Sequence, residues 1–154
     1  MDCYIWAITK DSGWNWIKTC LWDRNTKLPY GYNIRRFPKK SDALVFYGNK
    51  CFQGRITVAD DGRQITPRDK KEYPYLKDWK NVMFLDGSTI RIFHNPVPAK
   101  DVADQIEKLR GKTGKSLVAA CRYNPTISID EYKEIVERGY ETLFDEFFLL
   151  KKKA

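Results

Sequence analysis

The chain has 154 residues, of which 42% are hydrophobic and 14% aromatic, and its formal net charge is +8. This length suits one cored domain and is too short for two of full size, so residues 1–154 are expected to form a single domain. The basic excess lies in residues 1–127 and favours a polyanionic partner, although many basic proteins bind no nucleic acid. No apolar run of about 18 residues occurs, so no membrane span is expected.

The four cysteines, Cys3, Cys20, Cys51 and Cys121, are far apart, and no Cys-x-x-Cys pair occurs. His94 is the one histidine, so the pattern is not that of a zinc site, and no metal or other cofactor is predicted. The chain opens without the apolar stretch of an export signal. The thiols are therefore interpreted as reduced and buried, which predicts a cytoplasmic protein.

The amino-terminal residues predict a strand, a helix and a loop. Residues 3–9 (CYIWAIT) are β-branched and aromatic, which indicates a central, buried strand. After a polar turn, residues 14–20 are expected to form a short helix. Pro29 and Gly31 suit a loop that enters a strand better than a strand interior, so residues 28–35 are interpreted as that loop.

A hairpin is predicted next, because residues 43–47 and 51–59 are strand-like and the small polar residues 48–50 lie between them. Residues 60–72 are rich in charge and contain Pro67, which predicts an exposed connection.

Residues 73–85 return to strand-like spacing, Gly87 is expected to turn the chain, and residues 89–93 (TIRIF) alternate as a strand. The β region thus contains about five or six strands. Residues 98–110 open with a proline suited to a first helical turn and show helical apolar spacing, so a helix is predicted there.

The sequence GKTGKS at residues 111–116 superficially resembles a phosphate-binding loop. That motif needs a glycine five residues before Gly114, where this chain has Leu109. A loop that ends the preceding helix, with solvated lysines, is the expected structure. Lys112 and Lys115 are kept as candidate phosphate contacts.

Ser128 and Glu131 form a Ser-x-x-Glu capping pair, which predicts a helix over residues 129–150. Residues 140–150 place aromatic and leucine side chains on one helical stripe. Such a stripe usually packs on its own domain, but it could also contact another chain or a following domain.

Aromatic residues crowd just before a basic run, and this is the strongest functional signal of the sequence. A nucleobase stacks on indole and phenol rings, whereas its flanking phosphates need lysine or arginine, so the two together favour nucleic acid. The residues are Trp14, Trp16, Trp22, Tyr30 and Tyr32, followed by Arg35, Arg36, Lys39 and Lys40.

Several short motifs resemble the EVE domain of the PUA-like superfamily. They are Trp22 with Asp23, Tyr32 with Asn33, residues 46–49 (FYGN), residues 54–58 (GRITV) and residues 73–75 (YPY). The resemblance implies an α+β fold, a small twisted β-barrel of about five or six strands flanked by helices. It also implies an aromatic pocket for a flipped or unpaired base, often a modified one, as in the related YTH domains. Similar domains occur as amino-terminal readers of modification-dependent restriction enzymes.

The base pocket is predicted from Trp16, Trp22, Tyr32, Asn33 and Tyr47. Trp22 is preferred because polar loop residues follow it, with a core tryptophan as the alternative. The side chain of Asn33 can read a base edge through its paired donor and acceptor. Trp6 and Trp79 are expected in the core instead.

Phosphates are expected to bind a set of basic residues, for which a solvated basic loop is the alternative. The candidates are Arg35, Arg36, Lys39, Lys40, Lys112 and Lys115.

Two rival functions remain open. A nuclease-like enzyme would need a general base or metal ligands, and His94 and the Asp60–Asp61 pair form no recognisable catalytic set, so no catalytic residue is predicted. A protein-interaction module would use the carboxy-terminal aromatic stripe. The prediction is therefore a non-catalytic reader of DNA or RNA, without a membrane partner, for which a downstream domain or a partner subunit is an open expectation.

Overall fold

The computed structural model describes residues 3–8, 15–17, 27–33, 40–139 and 141–142. These residues form both strands and helices, which confirms the α+β class. The strands are β1 (Cys3–Ala7), β2 (Leu28–Tyr32), β3 (Ser41–Phe46), β4 (Cys51–Gln64), β5 (Asn81–Pro98), β6 (Thr126–Ile127) and β7 (Glu141–Thr142). The helices are α1 (Pro67–Glu72), α2 (Ala99–Val102), α3 (Gly114–Arg122) and α4 (Ile129–Gly139), with 3₁₀ turns at Pro74–Asp78, Ala103–Gln105 and Glu107–Leu109.

The sheet is rolled, so that distant strands face each other. Its order is β2-β5-β4-β3-β1-β6, with β7 beside β5, and β1 and β3 are parallel whereas the other pairs are antiparallel. Trp6 of β1 and Tyr30 of β2 nevertheless touch, with ring centroids 4.9 Å apart. In a flat sheet these strands would lie about 19 Å apart. The twisted, barrel-like form is thus confirmed, although no backbone pairing between the described strands closes it.

The rolling originates in the long β4–β5 pair, whose register shifts at four places. Such bulges bend strands and increase their twist. The turn predicted at Gly87 is wrong, because Gly87 is buried inside β5. Side chains replace part of the ladder there: Ser88 N donates to Asp86 Oδ1 at 3.0 Å, and Thr57 N donates to Thr89 Oγ1 at 2.8 Å.

The two faces of the rolled sheet have separate cores. Cys3, Ile5 and Ala7 of β1 pack toward the helical layer, where α3 contributes Leu117 and α4 contributes Ile135. The opposite face encloses what we call the inner cluster. Its buried members are Tyr4, Trp6, Ile8, Ile17, Leu28, Tyr32, Ala43, Val45, Ile56, Val58, Met83, Leu85 and Ile90, and Trp16, Tyr30, Tyr47 and Ile92 are half-buried against them.

The loop predicted at residues 28–35 is wrong over residues 28–32, which form β2. Pro29 is tolerated because β2 lies at the edge of the sheet, where a ladder donor is not required. Gly31 is needed for a close approach, since a Cβ at this position would lie 2.5 Å from Cγ of Trp79. Trp79 packs half-buried beside Leu76, in agreement with its expected place in a core.

Three other predicted boundaries also need correction. Residues 60–72 are not simply an exposed connection, because β4 continues to Gln64 and α1 follows, with Thr66 and Asp69 forming its capping box. The helix predicted over residues 98–110 is broken into α2 and two 3₁₀ turns. The GKTGKS loop ends early, because Thr113 caps α3 together with Ser116.

The predicted hairpin and the Ser128–Glu131 cap are both confirmed. Ser128 N donates to Glu131 Oε1 at 2.7 Å, and Glu131 N donates to Ser128 Oγ at 3.1 Å. The helix does not extend to residue 150, since α4 ends at Gly139 and β7 follows beside β5. Most of the aromatic stripe at residues 140–150 lies outside the described residues.

Two further sequence expectations can be compared with the described residues. Cys3, Cys51 and Cys121 are buried thiols, as expected, whereas Cys20 lies outside the described part of the chain. None of the described helices is long and apolar enough to cross a membrane.

Candidate functional site

The structure places three predicted pocket residues together and one apart. Trp16, Tyr32 and Tyr47 all belong to the inner cluster. Trp22, the preferred pocket wall, lies outside the described residues. Asn33 follows Tyr32 just beyond the end of β2, but it is exposed and its side chain accepts a hydrogen bond from Lys80 N, away from the inner cluster. The predicted set is therefore divided, with Asn33 outside the inner cluster.

Tyr30 links the aromatic residues of the inner cluster. Its ring meets Trp6 at 90° and meets Trp16 at 61°, with centroids 4.9 Å and 5.6 Å apart. Edge-on aromatic pairs of this kind are worth about 0.5–1.5 kcal/mol each beyond the area they bury. Trp6 is 5% exposed, so its core placement is confirmed. Tyr30 belongs to the aromatic group that the sequence identified, but it was not among the predicted pocket residues.

Two tyrosine hydroxyls lie buried at the inner cluster without a hydrogen-bond partner among the described residues, those of Tyr4 and Tyr32. Burial raises the pKa of Tyr32 to about 12. The pKa of Tyr4 is raised above its ordinary value chiefly by burial and also by nearby Tyr32 and Asp61. Each hydroxyl is therefore neutral and able to donate. A buried polar group left unpaired costs about 1–3 kcal/mol, so this pair requires an explanation.

Asn33 lines a second feature, away from the inner cluster, which we call the Trp79 cavity. Oδ1 of Asn33 accepts a hydrogen bond from Lys80 N at 3.0 Å. The cavity has a volume of about 590 Å³, and no carboxylate is among the described residues that line it. Its lining residues are Asn33, Gln64, Ile65, Lys70, Trp79, Lys80 and Asn81. Amides, an indole and two ammonium groups thus share one concave surface.

The basic run of the sequence is connected at both ends to described residues, which we call its anchor points. Arg35, Arg36 and Lys39 lie outside the described residues, whereas Lys40 is exposed and its backbone N donates to Asp61 Oδ1 at 2.6 Å. Asp61 is also close enough to raise the pKa of Tyr4. The run therefore begins just after Tyr32 and ends at a contact near Tyr4.

The two lysines of the GKTGKS segment do not share a site. Lys112 is exposed in the turn before α3, where its backbone N donates to Leu109 O at 3.1 Å. Lys115 lies in α3 and lines a different surface cavity, together with Lys50, Arg122 and Tyr123. The latter three residues were missed by the sequence analysis, since they are far apart along the chain.

A cavity beside α1, here called the charged cavity, combines both signs of charge. Its volume is about 630 Å³. Its lining residues are Lys27, Asp60, Asp61, Arg63, Thr66, Arg68, Asp69, Glu72, Tyr73 and Phe84. Arg63 donates two hydrogen bonds to the carboxylate of Asp69, at 2.6 and 2.9 Å. This contact holds the pKa of the Asp69 carboxyl well below its usual range.

The groups considered for catalysis, His94 and the Asp60–Asp61 pair, lie on different strands. Asp60 pairs with Lys27 at 3.4 Å and, like Asp61, lies within β4 rather than in a turn. His94 is exposed on β5. Among the described residues, no group of three or more histidine, cysteine or acidic side chains is arranged to hold a metal ion.

Comparisons with known proteins give a structural similarity but no sequence match. No family model and no curated protein matches the sequence. Among solved structures, the chain is similar to a mutant of the ZmASCH protein from Zymomonas mobilis, with 8% identity and a TM-score of 0.46. The match covers 89% of this chain and 98% of the other. At this level of similarity, membership in the EVE family stays a prediction from the sequence.

Proposed function

We propose that the chain is a nucleic-acid-binding reader domain that accepts an unpaired base of DNA or RNA at the inner cluster. The observation that carries this proposal is the pair of buried, unpartnered hydroxyls of Tyr4 and Tyr32 beside the aromatic rings. A nucleobase has a flat face for aromatic contact and an edge with donors and acceptors for the hydroxyls.

The energetics are favourable without a chemical step. Extruding a base from a duplex costs a few kcal/mol, and this cost is lowest for a base that is already single-stranded or mismatched. Contact with aromatic walls returns about 1–3 kcal/mol per base. Pairing the two hydroxyls with the base would also remove the penalty of leaving them unsatisfied.

Phosphates flanking the base would meet the basic run of Arg35, Arg36, Lys39 and Lys40. The anchor points of this run support that assignment, because they lie at Tyr32 and near Tyr4. Asn33 would contact the neighbouring nucleotide from the Trp79 cavity, whose described lining is free of carboxylates.

The resemblance to EVE domains adds finer points to the proposal. The base would be a modified one, the chain would bind without cutting, and it would target a larger restriction or RNA-processing protein to its substrate. A methyl group buried against the aromatic rings adds about 0.8 kcal/mol, so the expected preference for a methylated base is modest. The buried thiols suit an intracellular location.

The test is binding of fluorescent single- and double-stranded DNA and RNA, with and without methylated adenine or cytosine, across a salt series. Tyr4→Phe and Tyr32→Phe keep the rings and remove the hydroxyls, so each should weaken binding about fivefold, the value of one hydrogen bond. Tyr132→Phe is the matched control, because it removes a buried hydroxyl from the opposite face of the sheet. Trp22→Ala should abolish any preference for the modified base.

The outcomes separate the rival functions. Full binding by both Tyr→Phe variants would show that the hydroxyls contact no base and would overturn the inner-cluster pocket. Cleavage of the labelled strands would overturn the non-catalytic assignment. Absence of binding to every nucleic acid would overturn the proposal and favour an interaction module built on residues 140–150.

A further inference from the structure

We infer that the chain has a second contact surface for single-stranded nucleic acid, in the cavity between the β3–β4 turn and helix α3. The cavity has a volume of about 660 Å³ and is lined by Lys50, Lys115, Val118, Ala119, Arg122 and Tyr123. The inference rests on the proposed function for the class of ligand, but it uses none of the residues of the inner cluster.

One face of α3 forms a wall of this cavity. Lys115, Val118, Ala119 and Arg122 are spaced by three, four and seven residues, which places them on a single helix face. Leu117 and Cys121 point instead into the core, where both are buried. The two cations lie about 10 Å apart along the helix axis, with small apolar side chains between them. An extended strand can therefore contact both cations.

Lys50 extends the basic surface from a rigid turn. Gly48, Asn49 and Lys50 all have positive φ, at 63°, 52° and 58°. The turn is fixed on two sides, because Cys51 N donates to Gly48 O at 3.1 Å and Ala99 N donates to Lys50 O at 3.0 Å. A lysine in the left-handed region is strained, and a glycine would relieve that strain but would lack the ammonium group.

Tyr123 supplies an aromatic platform beside these cations. Its side chain is 73% exposed, more than any other large hydrophobic residue among those described. The backbone beneath it is held to β1, since Asn124 adopts φ 52° and its Oδ1 accepts from Ala7 N at 2.9 Å. A ring on a fixed base can stack on a nucleobase with little loss of conformational entropy.

No carboxylate is among the described residues that line this surface. Within the described part of the chain, Lys50, Lys115 and Arg122 make no ion pair with a carboxylate, and no acidic residue occupies the first turn of α3. Cations and an exposed ring along a concave surface match a single strand, which offers phosphates and free base faces together. A duplex keeps its base faces stacked and offers only its phosphates.

The test is binding of homopolymeric oligonucleotides of about 4 and about 16 nucleotides to the full chain. Tyr123→Ala should weaken the longer oligonucleotide about tenfold and the shorter one less, and Tyr123→Phe should restore binding because it keeps the ring. The double variant Lys115→Gln with Arg122→Gln should lower the salt slope by about 1.4. Lys133→Gln, an exposed cation on α4, is the control and should change neither quantity.

Unchanged affinity and salt slope in the Tyr123 and double variants would overturn the second surface, while the proposed function is judged separately by Tyr4→Phe and Tyr32→Phe. Loss through Tyr123→Ala with full binding by those two variants would support the second surface and overturn the inner-cluster pocket. Binding of anionic phosphatidylserine vesicles through Lys115 and Arg122, without an effect of either on oligonucleotides, would also overturn the inference.

Discussion

The charged cavity and the cavity at α3 differ in what surrounds their cations. Their volumes are similar, about 630 and 660 Å³, and each is lined by three lysine or arginine residues. The charged cavity also contains four carboxylates, and two of its cations are engaged in ion pairs, Lys27 with Asp60 and Arg63 with Asp69. The lining of the α3 cavity contains none.

This difference shows why a net charge of +8 does not locate a binding surface. Carboxylates near a cation oppose its electrostatic field, so they weaken the attraction of that cation for a phosphate. In the charged cavity the guanidinium of Arg63 is committed to holding α1 against β4. We therefore expect that cavity to stabilise the fold and the α3 cavity to bind a polyanion.

Among the variants that test this comparison, Asp69→Asn should have the largest effect. The carboxylate is buried, caps α1 through Thr66 and receives two bonds from Arg63. Losing the charge-assisted bonds should lower the free energy of unfolding by about 2 kcal/mol. Urea unfolding measures this change. The control is Glu134→Gln, which removes the exposed pair with Arg138 and should cost less than about 0.5 kcal/mol; equal losses would show that the Arg63–Asp69 pair has no special role.

The same carboxylate predicts a pH dependence. Its folded pKa is depressed, first by the hydrogen bond from Arg63, so the unfolded chain binds the proton more readily than the folded one. The stability it contributes is complete above its unfolded pKa of about 3.9 and declines as the pH falls through the folded value. The difference in unfolding free energy between wild type and Asp69→Asn should therefore shrink as the pH falls from about 4 to about 2. A constant difference over that range would assign the effect to shape rather than charge.

Much of the local structure could be predicted, because it depends on residues that are close in sequence. The Ser128–Glu131 cap and the turn at residues 48–50 are examples, since each closes within four residues. Gly31 shows the opposite case. By its residue type it indicates a loop, but a glycine is required at this position because the ring of Trp79 packs against it. Trp79 lies 48 positions later in the sequence.

The candidate site was predictable in composition and not in arrangement. The aromatic residues were identified as a group, and Trp16, Tyr32 and Tyr47 do meet at the inner cluster. Asn33 was placed with them because its amide can read a base edge, whereas successive side chains of an extended chain point to opposite faces, so Asn33 and its neighbour Tyr32 diverge. The link between Trp6 and Tyr30 arises from the rolling of the β4–β5 pair, which depends on bulges that no local pattern indicated.

Ala119→Glu would convert the α3 cavity into one of the charged type. Ala119 is exposed and lies one turn from both Lys115 and Arg122, so a glutamate there would oppose their field. Affinity for a single-stranded oligonucleotide should fall about tenfold at low salt, with a change in unfolding free energy below about 0.5 kcal/mol. Ala119→Gln has the same length without the charge and separates steric from electrostatic effects. If both variants lose binding equally, the cavity discriminates by shape and the comparison of charges does not explain it.

Arg68→Gln should have the smallest effect, and it tests the comparison from the other side. Arg68 lines the charged cavity, where Asp60, Asp69 and Glu72 already oppose its field. Removing its charge should therefore change the affinity for single-stranded oligonucleotides by less than about twofold, whereas Arg122→Gln in the α3 cavity should cost about fivefold. Both variants remove one guanidinium and leave the same net charge, so any difference between them must come from position. Equal losses, measured by fluorescence anisotropy at one salt concentration, would mean that oligonucleotides respond to the total charge of the chain and that neither cavity is a distinct site.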